Sequence, residues 1–599
     1  MKILALGAIA AVVSLLCPSF ALASPSVEVD GITINGTVSA ISAKVDEFYG
    51  IPYATAARWQ PPKAHAALGN PFDAAHPTMV EACPQPGVVV FGSFVLRQSE
   101  NCLSLNVYVP VSATAKSKLP VLFWIHGGSL VTGVGADYDA AQMIAAHNII
   151  VVTINYRLGA LGWLAQKSLQ AAKSDSFQNK GDAGNYGLMD QQFALQWVKK
   201  NIAAFGGDPA KVTIDGESAG GLSVLLNLTS VTTAKGLFRG AIVESGAYLL
   251  HSLPSQAAYE KQYGNAFVDA VLAATPNVNG VACNALTAKS SASHVRTCLR
   301  GATVATLLTQ QNAVFGSLAI SPDFGPLTLP NSLQTSFSGG KFIRVPVLQG
   351  INANEGRFFE PGFLGVPTNQ FAAIAGAGGP ANYDLTHLNS LCGTSCSYTQ
   401  EVDLWLTGLG IGATVNTAAF DSKLANSDYP LASFPDYYMP KSAPSADEGL
   451  AQILTDYLFA CNSLDATTEM AKNVAVYAYE FNDPFAPPLS PAPAVTVQPD
   501  DQYGYPTASE HGAEIQFLFD FPFTADLSSS EQKLAKTMQS YWSNFVKSAN
   551  PNVGATVPSW PAFSATPNVQ TLAPGTPASH TTFGAKHFCA VWEPIISKE

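Results

Sequence analysis

The pentapeptide Gly216-Glu217-Ser218-Ala219-Gly220 decides the fold of this chain. It follows the apolar run 212–214 and precedes the helix-competent run 221–226. A strand that reverses sharply into a helix strains the backbone of its turn residue, and only small neighbours let the turn close with the serine oxygen exposed. The pattern therefore predicts that Ser218 is a nucleophile. A glycine-rich turn with an incidental serine is the alternative for the pentapeptide taken alone.

Apolar, β-branched runs lie on both sides of this stretch, as expected of strands buried on both faces: 105–109, 120–125, 149–156, 241–243, 345–350 and 474–479. Between Asn185 and Gly207, apolar residues recur at helical spacing, and Gly206-Gly207 ends the pattern. Strand and helix alternate. The chain is therefore predicted to be an α/β protein with a large, mostly parallel central sheet flanked by helices.

Segments outside this alternation have other expected roles. Short alternating runs at 27–29, 32–34 and 37–41 predict antiparallel strands at one sheet edge. Residues 251–341 and 358–447 are expected to be helical and irregular insertions over the active site that help to wall a pocket. The run 487–493 predicts an exposed extended loop, with a domain linker as the alternative. Ser528 and Glu531 form a capping-box pattern at the start of a long helix.

The composition limits the classes of function. The 599 residues are 47% hydrophobic and 12% charged, and the net charge is −12. The high apolar content suits a compact protein. The negative net charge does not attract the phosphate backbone of nucleic acid. The sequence contains no phosphate-binding GxxxxGK[ST] motif and no dinucleotide GxGxxG motif. We therefore expect neither a nucleic-acid partner nor an organic cofactor.

The first 23 residues are typical of an export signal. Lys2 supplies the positive charge, residues 3–16 the apolar stretch, and Ala21-Leu22-Ala23 the cleavage motif. A membrane anchor is the alternative, but the apolar run is short for a spanning helix. Lipidation of Cys17 is a further alternative, which the bulky Leu16 disfavours. We expect a mature chain of residues 24–599, forming one domain, that is periplasmic or extracellular.

Eight cysteines remain after the signal, and an even number in an exported chain favours disulfides over a metal site. Proximity in sequence suggests the pairs Cys83–Cys102, Cys283–Cys298 and Cys392–Cys396, which leaves Cys461 to pair with Cys589. Connectivity stays an inference at this point.

Several separated blocks carry a resemblance to one family. They are 48–54 (FYGIPYA), 100–107 (ENCLSLNV), 124–128 (WIHGG), 155–157 (NYR), 184–191 (GNYGLMDQ) and 205–221 (FGGDP through GESAGG). The chain resembles the type-B carboxylesterase/lipase family, which includes the cholinesterases, as an exported member of bacterial type. The likeness extends from about residue 27 to Trp592 and implies an α/β-hydrolase fold.

The resemblance implies a catalytic triad. Its members in this family follow the chain order nucleophile, acid, histidine. The acid matches Glu355 in Gly350-Ile351-Asn352-Ala353-Asn354-Glu355-Gly356, with Glu360 as the fallback. The base matches His511 in the segment 510–517 (EHGAEIQF). A solvated loop glutamate and a structural loop histidine are the alternatives for these two residues taken alone.

The resemblance also assigns the supporting residues. Backbone N–H groups of Gly128, Ser129 and Ala219 are expected to bind the oxyanion. The family commonly has a third glycine where this chain has Ser129. Ser245 corresponds to a serine expected to hydrogen-bond near Glu355 or His511. Disulfides implied by the family are Cys83–Cys102, Cys283–Cys298 and Cys461–Cys589, while Cys392–Cys396 is a local addition.

The expected activity is hydrolysis of carboxylic esters through an acyl-enzyme on Ser218, with no metal and no organic cofactor. The substrate is expected to be a small or lipid-like ester. The loop between Cys83 and Cys102 contains no tryptophan, so the sequence supports no quaternary ammonium substrate. Two alternative functions stay open. One is an interfacial lipase that acts on long-chain esters, and the other is a non-catalytic, adhesion-type relative. The acyl group, the alcohol group and the oligomeric state stay open.

Overall fold

The computed structural model describes residues 24–65, 68–87, 89–91, 94–169, 183–316, 320–359, 451–487, 509–521, 527–554 and 557–597. The predicted signal segment 1–23, the pair Cys392–Cys396, the fallback acid Glu360 and most of the insertion 358–447 lie outside these ranges. So does the run 487–493 beyond its first residue.

The strands, in chain order, are β1 (Ser26–Val29), β2 (Ile32–Asn35), β3 (Thr37–Val38), β4 (Val45–Pro52), β5 (Ala54–Thr55), β6 (Lys63–Ala64), β7 (Phe72–Asp73), β8 (Val89–Phe91), β9 (Phe94–Leu96), β10 (Ser104–Pro110), β11 (Leu119–Ile125), β12 (Ile150–Ile154), β13 (Gly207–Gly216), β14 (Gly240–Glu244), β15 (Asn277–Val278), β16 (Val281–Ala282), β17 (Val347–Asn352), β18 (Val476–Phe481), β19 (Val569–Leu572) and β20 (Ala578–His580).

The α-helices are α1 (Ala141–His147), α2 (Gly159–Trp163), α3 (Tyr186–Asn201), α4 (Ala219–Thr229), α5 (Gln256–Tyr259), α6 (Asn265–Ala273), α7 (Ala292–Gly301), α8 (Val304–Phe315), α9 (Leu333–Ser338), α10 (Cys461–Ala471), α11 (Ser529–Ser548), α12 (Phe583–Lys586) and α13 (Cys589–Ile596). Short 3₁₀ turns occupy Pro77–Met79, Gly135–Asp137, Lys167–Leu169, Ile202–Phe205, Ala247–Leu249, Cys283–Ala285 and Ile515–Phe517. Two π-helical turns occupy Glu260–Gly264 and Thr455–Ala460.

One sheet of eleven strands forms the centre, in the order β20-β19-β18-β17-β14-β13-β11-β12-β10-β4-β3. The run from β19 to β12 is parallel throughout, and antiparallel strands complete both edges. Strands such as β12 and β14 are buried at every residue, which explains their unbroken apolar sequence. The predicted α/β class with a large, mostly parallel sheet is confirmed.

The two faces of the sheet carry separate cores. On β11, Val121, Phe123 and Ile125 pack in the core that contains α3 and α4 residues. Leu122 and Trp124 face the opposite way, into the core that contains α1 and α11 residues. Successive side chains of a strand point to opposite faces, so one apolar run serves both layers. Helix α11 begins with the predicted capping box between Ser528 and Glu531.

The expectation that the first three strands form one sheet edge is wrong in part. β1 and β2 pair with each other and with β7 in a separate small sheet, whereas β3 pairs with β4 at the edge of the central sheet. Gly36 lies between the two groups, and a Cβ there would overlap the Phe48 ring and the Glu47 carbonyl. Alternation in the sequence predicts strands, but it does not specify which sheet they join.

Three of the predicted disulfides are present: Cys83–Cys102, Cys283–Cys298 and Cys461–Cys589. In the described ranges, no helix is both long and apolar enough to span a bilayer.

A buried cluster of charged groups adjoins the last disulfide. His587 is fully buried, with Nδ1 2.6 Å from Asp456 Oδ1 and Nε2 2.8 Å from Glu480 Oε1. Lys586 Nζ lies 2.6 Å from the same Glu480 oxygen. Burial alone lowers the pKa of His587, but Asp456 and then Glu480 outweigh it and raise that pKa to about 9. The segment that leads into Cys589 is thus held to β18 through the contact of His587 with Glu480.

We expect this cluster to make stability fall at alkaline pH. Below about pH 6.5 both folded and unfolded His587 are protonated, so its contribution is complete, and it is lost as pH rises through about 9. The loss is about 3 kcal/mol from a shift of this size. Urea unfolding at pH 6, 7.5 and 9.5 measures it, with His587→Gln as the comparison. The stability difference between the two proteins should shrink with rising pH, and a constant difference would contradict the assignment.

Candidate active site

Ser218 occupies a sharp turn between β13 and α4. Its backbone has φ 57° and ψ −122°, a sparsely populated conformation for a residue with a side chain. Two hydrogen bonds hold it there: Ser218 N–H donates to the Glu244 carbonyl at 2.9 Å, and Leu222 N–H donates to the Ser218 carbonyl at 2.8 Å. The side chain is half-buried. The strained turn predicted from the pentapeptide is present.

The flanking glycines are required by close packing. A Cβ on Gly216 would lie 2.6 Å from the Ile125 carbonyl oxygen, and one on Gly220 would overlap the same carbonyl. Both residues therefore abut the carboxyl end of β11. This contact brings the loop that follows β11 directly beside Ser218.

His511 and Glu355 meet as the sequence predicted. His511 Nδ1 lies 2.5 Å from Glu355 Oε2, although the two residues are 156 positions apart. Glu355 follows β17 and is fully buried. Its other oxygen accepts hydrogen bonds from Ser245 Oγ at 2.5 Å and from the Asn352 N–H at 2.7 Å. Both carboxylate oxygens are thus engaged, which fixes the plane of the His511 ring.

The second nitrogen of His511 is available. Within the described residues, His511 Nε2 has no hydrogen-bond partner and lies 3.3 Å from Glu217 Oε1. No hydrogen bond joins it to Ser218 in the structure. Such contacts are often long before a substrate binds.

The loop after β11 contains Gly128 and Ser129, two of the residues expected to bind the oxyanion. A Cβ on Gly127 would lie 3.1 Å from Ser218 Cβ, so this loop runs beside Ser218. Gly128 has φ 93° and Ser129 has φ 55°. Ala219 is the first residue of α4, where N–H groups have no intrahelical partner. In the described part of the chain, the N–H groups of Gly128, Ser129 and Ala219 make no backbone hydrogen bonds.

His126 supports this loop as a neutral side chain. Burial lowers its pKa to about 4. Its ring stacks on Tyr156 with centroids 4.5 Å apart, and its Nδ1 lies 2.9 Å from the Gly127 carbonyl.

Three aromatic rings surround the imidazole of His511. The ring centroids of Phe358, Phe359 and Phe459 lie 5.8, 4.9 and 5.0 Å from it. Phe359 stacks on Phe459 at 5.6 Å, and Phe358 is 48% exposed. These rings therefore form an apolar wall against the imidazole of His511.

Sequence reasoning missed a group of buried carboxyls beneath the site: Asp215, Glu244 and Glu514, together with Glu217, which it left without a role. Burial first, and neighbouring carboxylates second, raise the pKa of Glu217 and Glu514 well above the ordinary range. Burial raises the pKa of Asp215 to about 8. Glu244 accepts a hydrogen bond from Trp542 Nε1–H at 2.9 Å.

Burial and mutual repulsion therefore favour the neutral form of these carboxyls by raising each pKa, which limits the negative charge near the site. A sequence signal for them exists. Asp215 continues the apolar run 212–214, and Glu244 ends the apolar run 241–243.

Comparison with known proteins identifies the family. The carboxylesterase family profile matches residues 23–592. The chain belongs to the carboxylesterase family. It is 30% identical to the para-nitrobenzyl esterase of Bacillus subtilis (strain 168) over 552 residues, which cover 90% of this chain and 91% of that protein. It is 29% identical to a human cocaine esterase over 543 residues, covering 88% and 83% respectively.

Solved structures agree with this membership. A PNB esterase structure has a TM-score of 0.66 and 25% identity, covering 94% of this chain and 98% of that one. Hydrolysis of carboxylic esters is the activity of this family, and the α/β-hydrolase fold predicted for this carboxylesterase is confirmed. In the described ranges, no group of three or more His, Cys, Asp or Glu side chains is arranged to hold a metal ion.

We expect Ser245→Ala to lower kcat of this carboxylesterase by about 10- to 100-fold, because a hydrogen bond to a charged carboxylate contributes about 1.5–3 kcal/mol. KM for a soluble ester should change little. Steady-state kinetics measures the effect. Ser463→Ala is the control, since Ser463 is also buried but contacts Gln349 instead of the triad. Equal kcat values for Ser245→Ala and the unmodified enzyme would contradict a role for this bond.

Proposed function

We propose that this carboxylesterase cleaves esters through a covalent acyl-enzyme on Ser218. The observation that carries the proposal is the orientation of His511, whose Nδ1 is held by Glu355 while Nε2 has no hydrogen-bond partner among the described residues. A histidine held in this way accepts a proton at one nitrogen while the carboxylate stabilises the resulting imidazolium.

In the first step, Ser218 Oγ bonds to the ester carbonyl carbon and its proton passes to His511 Nε2. The carbonyl electron pair moves onto oxygen, where the N–H groups of Gly128, Ser129 and Ala219 stabilise the charge. The intermediate then expels the alcohol, which takes the proton from His511. Water repeats the sequence on the acyl-enzyme and releases the carboxylic acid.

The substrate class that fits this site is an uncharged ester, small or lipid-like, with an apolar group near His511. The wall formed by Phe358, Phe359 and Phe459 supports this proposal, because such a surface favours apolar groups. The names of two relatives, para-nitrobenzyl esterase and cocaine esterase, also include ester substrates. Comparing soluble with emulsified p-nitrophenyl esters of increasing chain length separates an esterase from an interfacial lipase, which would gain steeply on emulsions.

A fluorophosphonate probe tests the catalytic assignment directly. We expect one phosphonyl group per chain, attached to Ser218 in the peptide that carries the pentapeptide, with activity lost in proportion to labelling. An active enzyme that is labelled elsewhere would overturn the assignment. An unlabelled and inactive protein would support the adhesion-type alternative.

We also propose that the protein is exported after removal of residues 1–23. Three disulfides in the described chain support this, since disulfides persist in oxidising compartments. Amino-terminal sequencing of protein recovered outside the cytoplasm is expected to begin at Ser24. Protein that retains residues 1–23 would contradict it.

A further inference from the structure

The backbone that presents the oxyanion donors is strained. We call residues 126–133 the oxyanion loop. Within it, φ is 93° at Gly128, 55° at Ser129, 60° at Leu130 and 121° at Gly133. Left-handed backbone is disfavoured at a residue that carries a side chain, because its Cβ then crowds the following carbonyl oxygen. Two of the four are not glycine, so the surroundings must hold the loop in this shape.

Part of the restraint is local. Val131 N–H and Thr132 N–H both donate to the Gly128 carbonyl at 2.9 Å, and Gly159 N–H donates to the Leu130 carbonyl at 2.7 Å. These bonds close the turn from Gly128 to Thr132. They do not secure its far end at Gly133.

The side chain of Gln85 secures that end. Its Oε1 accepts the Gly133 N–H at 2.9 Å, and its Nε2–H donates to the Gly133 carbonyl at 3.1 Å. The carboxamide thus pairs with both polar groups of one backbone residue. Nε2–H also donates to the Cys83 carbonyl at 3.0 Å, and Gln85 is only 4% exposed.

Gly133 is in contact with the rest of the oxyanion loop. A Cβ on Gly133 would overlap the His126 ring, and a Cβ on Gly128 would overlap the Thr132 carbonyl. Packing this close leaves no room for one part to shift alone. Displacement of Gly133 would therefore move Thr132 and, through it, the donors at Gly128 and Ser129.

Gln85 belongs to the loop closed by Cys83–Cys102. Gln98 stabilises this loop from within: its Oε1 accepts the Gln85 N–H at 2.9 Å, and its Nε2–H donates to the Gly87 carbonyl at 2.8 Å. The disulfide and Gln98 thus hold the backbone from which Gln85 reaches Gly133.

We propose that Gln85 is a positioning residue that sets the geometry of the oxyanion hole through Gly133, and that the Cys83–Cys102 loop supports this role. The inference rests on the proposed function of Ser218 and the oxyanion donors. Loss of one oxyanion donor lowers kcat by about 10²–10³-fold in serine hydrolases. Displaced donors retain part of their effect, so we expect a decrease in kcat of roughly 10- to 100-fold without Gln85.

The test uses Gln85→Met, which keeps most of the side-chain volume but removes both bonds to Gly133, beside Gln85→Ala. Kinetics with p-nitrophenyl butyrate are compared with inhibition by a trifluoromethyl ketone, which forms a tetrahedral adduct on the serine. For both variants we expect kcat/KM to fall and the inhibition constant to rise by the same factor, with KM changed less than about threefold. A purely structural role would lower the thermal midpoint without equal changes in kcat/KM and in the inhibition constant.

Gln570→Met is the matched control, because Gln570 is also a buried glutamine but accepts its hydrogen bond from Ser579 Oγ on β20 instead of pairing with the oxyanion loop. Its kcat is expected to stay within about threefold of that of the unmodified enzyme. Unchanged kcat in Gln85→Met, or an equal loss in Gln570→Met, would overturn the inference. Fluorophosphonate labelling separates the two proposals: labelling at Ser218 with unchanged kcat in Gln85→Met refutes only the positioning role, whereas an unlabelled Ser218 in the unmodified enzyme refutes the proposed function itself.

Discussion

Ser218→Ala is expected to lower kcat for p-nitrophenyl butyrate by about a millionfold, with little change in KM. The alanine variant keeps the pocket and the oxyanion donors but has no oxygen to bond to the carbonyl carbon. His511 then has no nucleophile to deprotonate. Residual hydrolysis above the rate in water is expected from the oxyanion donors and substrate binding alone.

Two measurements make this result specific. Circular dichroism and the thermal midpoint should match the unmodified enzyme, because alanine adopts the same turn. Ser540→Ala on helix α11 is the control and is expected to retain full activity, since the Ser540 hydroxyl donates to the Lys536 carbonyl of the same helix. If Ser218→Ala kept more than about one hundredth of the activity, the acyl-enzyme mechanism on Ser218 would be wrong.

Asp190→Asn is expected to have the largest effect on stability, about 3–5 kcal/mol. Arg157 Nε and Nη2 donate to the two Asp190 oxygens at 2.7 and 2.8 Å, and the Arg157 backbone N–H donates at 3.1 Å. Both side chains are buried, and the guanidinium lies over the Tyr186 ring at 5.4 Å. Asparagine has one acceptor oxygen and no charge, so Arg157 would be left as an uncompensated buried cation.

The midpoint of urea unfolding, followed by tryptophan fluorescence, measures the loss. Burial raises the pKa of Asp190 despite Arg157, so the attraction does not fully offset the cost of desolvating the carboxylate. The double variant Arg157→Met/Asp190→Leu should therefore recover part of the loss. Lys472→Met, which breaks the exposed pair with Glu469, is expected to cost less than about 1 kcal/mol. A similar cost for Asp190→Asn would contradict this account.

Local sequence was sufficient for several features because they arise between neighbouring residues. The capping box of α11 joins Ser528 to a residue three positions later. The alternation of apolar strand runs with helical periodicity gave the fold class, since the central strands are buried on both faces. Glu355, His511 and Ser245 were located by resemblance to family motifs, and the structure brings them into one hydrogen-bonded group.

Other features depend on contacts between segments distant in sequence. The pairing of β1 and β2 with β7, the cluster of His587 with Asp456 and Glu480, and the pairing of Gln85 with Gly133 have no local pattern. In each case the sequence shows the types of residue involved, but it does not show which distant residues they contact. The partner becomes defined only when the sheet order brings the two segments together.

The pentapeptide 216–220 shows the same difference between what local sequence determines and what the tertiary structure decides. By itself it determined that the chain turns sharply at Ser218, because only glycine at positions 216 and 220 permits the close approach to β11. The tertiary structure alone decided what surrounds that turn. Glu355 and His511 are 156 residues apart. They meet because Glu355 follows β17 and His511 follows β18, and both strands end at the same edge of the parallel sheet as β13. Because the carboxyl ends of parallel strands lie at one edge of the sheet, loops that are distant in sequence meet there. At this edge Glu355 and His511 come together near the strained turn at Ser218.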